Sequence, residues 1–361
     1  MIEKGYRAIW KNSVQLLVCR TVLYATSCAH LAQKASLRYS SAMRALITGI
    51  NGFVGGHLAE QLLARSTWEV WGVGRTAVLA LPHLQDHVQL LQADLCHADQ
   101  VEQVIRRVQP QVIFHLAGQP FVPESFRHPA ATLTVNIMGL LHICLAVMHQ
   151  RLTTRVLVVG TNEEYGQIDA TDLPLHEDTP LRPTSPYGVS KAAQSLLALQ
   201  YYRSHGLDLV CVRPFTHIGP RQSERFVAAA FARQIASIEA GRQEPVIHVG
   251  NLSAHRDFTD VRDMVRAYVL AVEQGMAGQV YNIGSGRAVM IQTLLDKLLA
   301  LSPVQVEVQP DPQRMRSIDV PQVVCDPTRF RACTDWTPSF TLEQTLQDIL
   351  DDWRIRIVTE L

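Results

Sequence analysis

Tyr187 and Lys191 are the two residues whose types and spacing point most directly to chemistry. They lie four positions apart in "TSPYGVSK", directly after Ser185 and Pro186. A Ser-Pro pair is typical of the start of a helix, so the phenol and the ammonium should share one helix face, about 6 Å apart along its axis. A free phenol, with a pKa of about 10, is a poor acid at neutral pH, but a neighbouring ammonium or other cation lowers that value. The pair therefore predicts a proton donor for a carbonyl oxygen.

The stretch "GTNEEYG" places further polar groups at the end of a predicted strand. Thr161 would stand at the carboxyl edge of a parallel sheet, where ligands bind in open α/β folds, and its hydroxyl would hydrogen-bond a reacting oxygen. Of the adjacent Glu163 and Glu164, one is a candidate general base, and the alternative is that one or both face solvent. The residues predicted to be catalytic are Thr161, Glu163, Tyr187 and Lys191.

A Tyr-x-x-x-Lys spacing is common on helix surfaces, and the glycine-rich stretch "TGINGFVGGHL" decides how it is interpreted here. Gly49 permits a tight turn after a predicted strand, Gly52 lets the backbone approach a pyrophosphate, and Gly55 lets the following helix pack closely. A plain β–α turn is the alternative. The residues of this loop predicted to bind a dinucleotide are Gly49, Asn51, Gly52, Phe53, Val54 and Gly55.

Arg75, at the end of the second predicted strand, favours NADP(H) over NAD(H). Proteins restricted to NAD usually place an acid here for the ribose hydroxyls, but no Asp or Glu follows Arg75 until Asp86. A guanidinium suits a 2′-phosphate, whereas a merely solvated arginine would leave NAD(H) open. The other residues predicted to line the cofactor are Asp94, Leu95, Ala117, Gly118, Gln119, Tyr187, Lys191 and Pro214.

Six short apolar runs predict the strands that position these groups: "RALITG", "EVWGVG", "HVQLLQ", "QVIFHLAG", "RVLVVGT" and "LDLVCVRP". Helical patterns alternate with them, including a helix capped by Asp99 and a long helix around 132–150. This alternation predicts an α/β fold with a Rossmann-like, doubly wound parallel sheet. Later helices, which suggest a smaller α/β C-terminal substrate-binding lobe, are predicted near 223–240, 260–275, 290–301 and 341–356.

The predicted organisation has three parts. Residues 1–42 carry six Lys or Arg residues and one acid, and we interpret them as a non-essential extension, although a low acid content is also typical of a transit peptide. Residues 43–215 are predicted to form an NADP-binding Rossmann domain. Residues 216–361 are predicted to form mainly a nucleotide-sugar-binding lobe, with segments that return to the Rossmann domain.

Composition narrows the class of protein. Of 361 residues, 47% are hydrophobic and 18% are charged, which indicates a globular protein. Lys+Arg and Asp+Glu are both 33, so the net charge favours neither nucleic acid nor an anionic membrane as a partner. The seven cysteines include no Cys-x-x-Cys pair, which predicts reduced thiols in a cytoplasmic protein and no metal site.

From Met43 to Trp353 the chain resembles the extended short-chain dehydrogenase/reductases. The motifs "HLAGQPFVPESF", "SPYGVSK", "RPFTHIGPRQ", "VGNLSAHRDFTDVRD" and "VYNIGSG" are similar to those of its GDP-6-deoxy-D-mannose reductase branch. The resemblance implies reduction of the C4 ketone of GDP-4-keto-6-deoxy-D-mannose to GDP-D-rhamnose by NAD(P)H. Tyr187 would protonate the oxygen, Thr161 would position it, and Lys191 would support both tyrosine and cofactor. By analogy, a homodimer is expected.

The same resemblance implies a GDP-sugar site in the second lobe. Two departures from the family pattern are Thr216, where asparagine is usual, and Arg221, where glycine is usual. The arginine is expected to cost the turn some freedom and to add a cation near the entrance. The residues expected to bind the substrate are Thr216, Phe226, Val227, Gly250, Asn251, Arg256, Arg316 and Asp319.

Two other functions fit parts of the pattern. In a GDP-mannose 4,6-dehydratase, Thr161 and Glu163 would match a hydroxyl residue and a catalytic base two positions later. The mostly apolar stretch "GRTAVLALPHL" favours the reductase, since the dehydratases resemble one another in a basic, extended loop there. A non-catalytic dinucleotide-binding module would need no tyrosine–lysine pair.

Overall fold

The computed structural model describes residues 42–314 and 320–359. The predicted extension 1–42 therefore lies outside the described residues except for Ala42, and so do Arg316 and Asp319. Ser41–Leu361 is one compact unit, and the predicted division at residue 215 stays a prediction.

The elements follow one another much as the apolar runs predict. The strands are, in chain order, β1 (Met43–Thr48), β2 (Trp68–Gly74), β3 (Val88–Gln92), β4 (Val112–His115), β5 (Arg155–Val159), β6 (Leu209–Pro214), β7 (Thr216–Ile218), β8 (Val246–Val249), β9 (His255–Asp260), β10 (Val280–Ile283), β11 (Ala288–Met290) and β12 (Glu307–Pro310). The helices are α1 (Phe53–Leu63), α2 (Ala98–Val108), α3 (Val122–Arg127), α4 (Pro129–His149), α5 (Pro186–His205), α6 (Val227–Glu239), α7 (Val261–Gln274), α8 (Ile291–Ala300), α9 (Thr328–Thr334) and α10 (Leu342–Thr359).

Among the described residues, seven strands form a parallel sheet in the order β3-β2-β1-β4-β5-β6-β10. The order reverses direction at β1, as in a doubly wound nucleotide-binding fold, which confirms the predicted class. The register aligns the strand ends, since His115 pairs with Thr48 of β1 and with Val158 of β5. The loops after β1, β4 and β5 therefore meet at one sheet edge.

Helices cover both faces of the sheet. Successive strand side chains point to opposite sides, so Ile47 packs with Leu58 of α1 and Tyr268 of α7, while Leu46 packs against α2, α4 and α5 in a second cluster. Large apolar side chains are thereby buried on each side, and each buried Leu or Ile contributes roughly 1.5–3 kcal/mol of transfer free energy. The packing of helices on both faces fixes the position of the strand ends at the sheet edge.

A third apolar cluster belongs to the C-terminal part of the chain. It joins α6, α8 and α10 around β8, with Phe231, Leu298 and Trp353 among its buried side chains. Beside it lie two small sheets, β11-β9-β7 and β12-β8. One strand of this region, β10, instead pairs in parallel with β6 of the main sheet.

Two helix boundaries differ from the predictions. Asp99 does not cap its helix, because α2 begins at Ala98 with His97 as its N-cap residue; the carboxylate lies instead in the first turn, where it favours the helix dipole. The long helix α4 begins at Pro129, three positions before the predicted start, because proline is well suited to a first turn.

Among the described residues, α4 alone is long and apolar enough to cross a bilayer by length and composition, and half of that apolar stretch is buried within the protein. Core helices of soluble proteins meet the same criterion. In this fold, α4 packs its buried side against α2 and α5.

Candidate active site

The loop after β1 has the geometry of a dinucleotide-binding turn. Gly49 adopts φ +75, and a Cβ there would lie 2.9 Å from the backbone of Ala117. The Gly52 amide donates to the Gly49 carbonyl at 2.9 Å, and a Cβ on Gly55 would lie 2.4 Å from that same oxygen. Larger residues are therefore excluded, and the first-turn amides of α1 face the sheet edge, where they can bind phosphate.

The remaining residues predicted in this loop shape it through their side chains. Phe53 begins α1, and its ring stacks on His217 with centroids 6.2 Å apart; Val54 packs on the core of the α1 face. The Asn51 amide group donates to the Val78 carbonyl at 2.9 Å and accepts from the Ala80 amide at 3.0 Å. Asn51 thus fixes the segment that follows Arg75.

The predicted adenosine end of the site lies at the ends of β2 and β3. Arg75 is exposed there, and its carbonyl accepts from the Gln92 side chain at 2.9 Å. Asp94 accepts from the Cys96 amide at 2.9 Å. Burial raises the pKa of the Cys96 thiol, the Asp94 charge adds to this, and the Arg75 guanidinium opposes it. The arginine cation therefore lies close enough to this loop to influence it.

The loop after β4 is held by a side chain that the sequence analysis missed. Asn136 of α4 is fully buried; its oxygen accepts from the Gln119 amide at 2.8 Å and its nitrogen donates to Ser190 Oγ at 2.8 Å. A Cβ on Gly118 would lie 2.8 Å from that oxygen. The clue available in the sequence was a single amide within the apolar run "LTVNIMGLL".

Leu95 and Gln119, which were predicted to line the cofactor, also make hydrogen bonds within the protein. The Leu95 carbonyl accepts from His142 Nδ1 at 2.7 Å. The Gln119 side chain donates to Thr132 Oγ1 at 3.1 Å and contacts the backbone of Phe121. Since its amide is used in these contacts, Gln119 is suited to line the site with its backbone.

Tyr187 and Lys191 occupy the first turns of α5, as predicted. Ser185 is the N-cap residue, and its Oγ accepts from the Gly188 amide at 3.0 Å. Both functional side chains are buried, with exposed fractions of 8% and 5%. They therefore do not belong to a solvated helix face.

Lys191 is bound to the end of β5. Its Nζ donates to the Val159 carbonyl at 2.8 Å and to Gln194 Oε1 at 2.9 Å. Burial lowers the pKa of Lys191 to about 8, while the Glu164 carboxylate acts to raise it. Gln194, one turn further along α5, is a second polar residue that the sequence analysis did not identify.

The phenol of Tyr187 differs from the expectation. Burial raises its pKa above the ordinary value, a hydrogen bond with the Thr161 side chain acts in the opposite direction, and the charges of Glu163 and Glu164 raise it further. The chain alone does not lower the pKa of this phenol, because desolvation disfavours the anion more than one hydroxyl stabilises it.

The structure separates the roles of the two adjacent glutamates. Glu164 is fully buried and pairs with Arg213 at 2.8 Å, while Glu163 is only partly buried. Thr161 is extended and caps the turn Asn162–Glu164, with its Oγ1 accepting from the Glu163 amide at 3.3 Å. Of the two residues, only Glu163 is partly exposed to solvent.

The residues expected at the substrate lie on β7, α6 and the turn after β8. Thr216 begins β7 opposite Phe258. Phe226 is the N-cap residue of α6, which Val227 begins, and its ring lies edge-on to Phe121 with centroids 6.0 Å apart. Pro214, expected at the cofactor, ends β6 opposite Ile283.

Gly250, Asn251 and Arg256 lie beside the ends of the two described segments. A Cβ on Gly250 would lie 2.6 Å from the Arg314 carbonyl. The Asn251 side-chain oxygen accepts from the Ser253 amide at 3.0 Å. Arg256 donates to the Val320 carbonyl at 2.8 Å. These three residues thus organise the loops around the predicted position of the GDP group.

A protein-family model described as GDP-mannose 4,6 dehydratase matches residues 46–349. The chain belongs to this family. The resemblance to the extended short-chain dehydrogenase/reductases is thereby confirmed, and so is the expectation of a nucleotide-sugar enzyme.

Within the GDP-mannose 4,6-dehydratase family, the chain is similar to proteins with two activities. It is 37% identical to the GDP-6-deoxy-D-mannose reductase of Pseudomonas aeruginosa, across 88% of this chain and 99% of that protein. It is 28% identical to a GDP-mannose 4,6-dehydratase of Vibrio cholerae, across 86% and 94%. The structure of RMD from Pseudomonas aeruginosa complexed with NADPH superimposes with a TM-score of 0.76 and 35% identity, covering 87% of this chain and 100% of that chain. The reductase is the nearer of these two relatives.

Arg221 does not place a free cation at the entrance, contrary to expectation. Its guanidinium contacts both oxygens of Glu60 on α1 at 2.7 Å, and its amide donates to Asp352 of α10 at 2.9 Å. The residue adopts φ 71, a left-handed conformation that glycine adopts without strain. Here the arginine joins two helices, and Glu60 neutralises its charge.

Arg221→Gly is expected to destabilise the protein less than Arg221→Ala does, by about 1 kcal/mol. Both variants lose the contacts with Glu60, but only alanine retains a Cβ in the left-handed conformation. Urea denaturation of the two variants and the wild type measures this difference. Equal unfolding free energies would show that the positive φ stores no strain.

Proposed function

We propose that the chain catalyses reduction of the C4 ketone of GDP-4-keto-6-deoxy-D-mannose to GDP-D-rhamnose, with NADPH as the hydride donor. The observation that carries this proposal is the buried Thr161–Tyr187–Lys191 group at the sheet edge, beside a glycine turn, in a chain 37% identical to a GDP-6-deoxy-D-mannose reductase. Hydroxyl, phenol and ammonium together are suited to protonating a carbonyl oxygen.

The residues present fit NADPH. The tight turn of Gly49, Gly52 and Gly55 leads into the N-terminus of α1, whose first amides would bind a pyrophosphate. Arg75 directly follows β2 and is exposed, and its guanidinium would pair with a ribose 2′-phosphate at that strand end. When bound, NADPH supplies the hydride that reduces C4.

Three residues of the chain would then take part in the proton transfer to the C4 oxygen. Burial keeps Tyr187 protonated at neutral pH, which is the form a reduction requires, and its Oη donates a proton to the C4 oxygen. The Thr161 hydroxyl contacts the phenol and orients that oxygen. The Lys191 ammonium, held beside β5, stabilises the tyrosinate that remains.

Purified protein supplied with GDP-4-keto-6-deoxy-D-mannose and NADPH tests the proposal. We expect stoichiometric oxidation of NADPH and a product that NMR identifies as GDP-D-rhamnose. No NADPH oxidation with this substrate would contradict the proposed reaction.

A GDP-mannose 4,6-dehydratase activity is the second candidate, because the family model has that description and Thr161 and Glu163 have the required spacing. The higher identity to the reductase, 37% against 28%, favours reduction. Incubating the protein with GDP-mannose and no added reductant separates the two, since a dehydratase forms the 4-keto sugar and a reductase leaves GDP-mannose unchanged.

Arg75→Ala is expected to weaken NADPH binding about tenfold or more, because a charged hydrogen bond to phosphate contributes about 1.5–3 kcal/mol. NADH lacks the 2′-phosphate, so its affinity should change by less than about twofold. Fluorescence titration of the wild type and the variant with both cofactors measures this. Equal losses for the two cofactors would remove the basis for preferring NADPH.

We also propose a homodimer, located in the cytoplasm, that pairs through α4 and α5. On α5, Val189 and Leu196 lie seven positions apart on one face and are 44% and 59% exposed. On α4, Leu133, Ile137 and Leu141 form a half-buried stripe at helical spacing. Leaving these apolar side chains in water is unfavourable, and a second copy would cover them.

Leu196→Glu is expected to convert the dimer to a monomer, because dimerisation would then bury two unpaired carboxylates. Light scattering with size-exclusion chromatography measures the mass of both proteins. A wild-type chain that is monomeric at micromolar concentration would contradict the proposed dimer.

A further inference from the structure

A buried polar network lies directly beneath the candidate active site. Its centre is Glu164, whose side chain is fully buried with that of Arg213. Glu164 Oε2 accepts from Arg213 Nε at 2.8 Å, and Oε1 accepts from Ser195 Oγ at 3.0 Å. The same Oε1 accepts from the backbone amide of Thr161 at 3.0 Å. One carboxylate therefore joins the end of β5, helix α5 and strand β6.

The network continues away from the cleft into the C-terminal part of the chain. Arg213 Nη1 donates to Tyr165 Oη at 3.2 Å and to the Glu177 carbonyl at 3.2 Å. Tyr165 Oη in turn donates to Asn282 of β10 at 2.7 Å. The guanidinium also lies over the Tyr165 ring, 5.1 Å from its centroid. These contacts fix the arginine from several sides.

The position of the carboxylate is constrained by backbone as well as by side chains. A Cβ on Gly160 would lie 2.1 Å from Glu164 Oε1, so the glycine provides the space in which this oxygen sits. The oxygen thus contacts the backbone that leads into Thr161, whose hydroxyl belongs to the proposed catalytic group. A shift of the carboxylate would move that residue.

Stability alone is a weak reason for such a pair. Removing two charges from water costs several kcal/mol per ion, and apolar residues of similar volume often replace a buried pair without loss of stability. The specific contribution of Glu164 is its set of contacts. It holds the Thr161 amide and brings a negative charge toward Lys191.

The titratable groups around Lys191 come from three elements. His115 of β4 is fully buried, and burial, reinforced by the Lys191 charge, lowers its pKa to about 3, so it is neutral. Glu164 follows β5 and carries the negative charge that favours the ammonium form. Arg213 of β6 is paired with that carboxylate. Among the described residues, Glu164 is thus the acid that acts on this lysine.

We propose that Glu164 and Arg213 are a buried positioning pair, which holds Thr161 in its extended conformation and presents a negative charge to the Lys191 ammonium. Neither residue touches the substrate in this assignment; both act through Thr161 and Lys191. The proposal rests on the proposed reductase function, since it assigns the way in which the same active site is held.

Three variants separate the two effects of the carboxylate. Glu164→Asp keeps the charge but shortens the reach to the Thr161 amide. Glu164→Gln keeps the shape and removes the charge. Glu164→Gln/Arg213→Met removes both charges, so that no buried ion is left unpaired. The matched control is Glu239→Gln/Arg354→Met, which removes a salt bridge of 2.7 Å between α6 and α10.

The expected results differ for each variant. Glu164→Asp lowers kcat at least tenfold. The alkaline limb of its pH profile, where kcat/KM falls as the pH rises, stays at the wild-type pH. Glu164→Gln shifts that limb to lower pH, because without the negative charge the Lys191 ammonium loses its proton more readily. The double variant shifts the limb less than Glu164→Gln does, because a positive charge is removed together with the negative one, and its NADPH affinity stays within threefold of the wild type. The control keeps wild-type kcat and pH profile.

The wild-type activity is measured first, because it distinguishes failure of the proposed function from failure of the positioning role. A wild type that does not reduce the keto sugar contradicts the proposed function, whatever the variants do. A wild type that is active, together with Glu164→Asp at wild-type kcat, overturns the positioning role. Glu164→Asp retains the negative charge beside Arg213, so it keeps the proposal testable even where the uncharged variants fail to fold.

Discussion

Replacing Tyr187 with phenylalanine is expected to lower kcat about 10²–10⁴-fold, the usual contribution of a positioned general acid. The ring keeps its shape in its buried position, so the helix and the glycine turn should be undisturbed. NADPH affinity should therefore stay within about threefold of the wild type, since the change removes only the proton donor. Stopped-flow measurement of NADPH oxidation with the keto sugar, together with NADPH titration, gives both quantities.

Tyr201→Phe is the matched control for this prediction. Tyr201 lies further along the same helix and is also buried, with its ring against His205. The control should keep wild-type kcat. Near-normal turnover in Tyr187→Phe would reject the assignment of the phenol, and a comparable loss in Tyr201→Phe would show that any lost hydroxyl in α5 disturbs the fold.

Lys191→Met is expected to lower kcat about 10²-fold and to weaken NADPH binding about tenfold. The ammonium stabilises the developing tyrosinate and is expected to hold the nicotinamide ribose, so its loss affects chemistry and binding together. This combined effect distinguishes Lys191 from Tyr187. Single-turnover rates and NADPH titration on the same preparation separate the two contributions.

The pH profile provides an independent test of the same residue. Burial lowers the pKa of Lys191 to about 8, while that of Tyr187 is raised. The kcat/KM of the wild type should therefore fall as the pH rises through about 8, where the ammonium of the free enzyme loses its proton. The methionine variant has no ammonium to titrate, so its residual activity should lack this limb. A limb that persists in Lys191→Met would assign it to another group.

Local geometry explains which predictions were made correctly from the sequence. The spacing of Gly49, Gly52 and Gly55 is set by a tight turn that joins a strand to a helix, and Ser185 and Pro186 mark a helix start through the contacts of that first turn alone. Alternating apolar runs and helical stripes likewise depend on neighbours a few positions away. The succession of strands and helices along the chain, and with it the fold class, therefore follows from them.

Burial and pairing over long separations were not predictable in the same way. Glu163 and Glu164 are adjacent and chemically alike, and only the fold places one of them against Arg213, 49 positions away. Arg221 was expected to add a cation near the entrance, yet its guanidinium pairs with Glu60, 161 positions away in the chain. The pKa of the Tyr187 phenol was expected to fall because of the neighbouring positive charge. Desolvation raises it instead, and desolvation depends on the packed surroundings and has no signature in a single stretch of sequence.

The sequence by itself therefore determined the doubly wound sheet, the glycine turn after β1 and the helix start that precedes the tyrosine–lysine pair, because each depends on residues within a few positions. The tertiary structure alone decided which carboxylate is buried, what holds Lys191 beside β5 and how the pKa values shift. Those properties depend on segments that are distant in the sequence, because burial and charge pairing arise only when the folded chain brings those segments into contact.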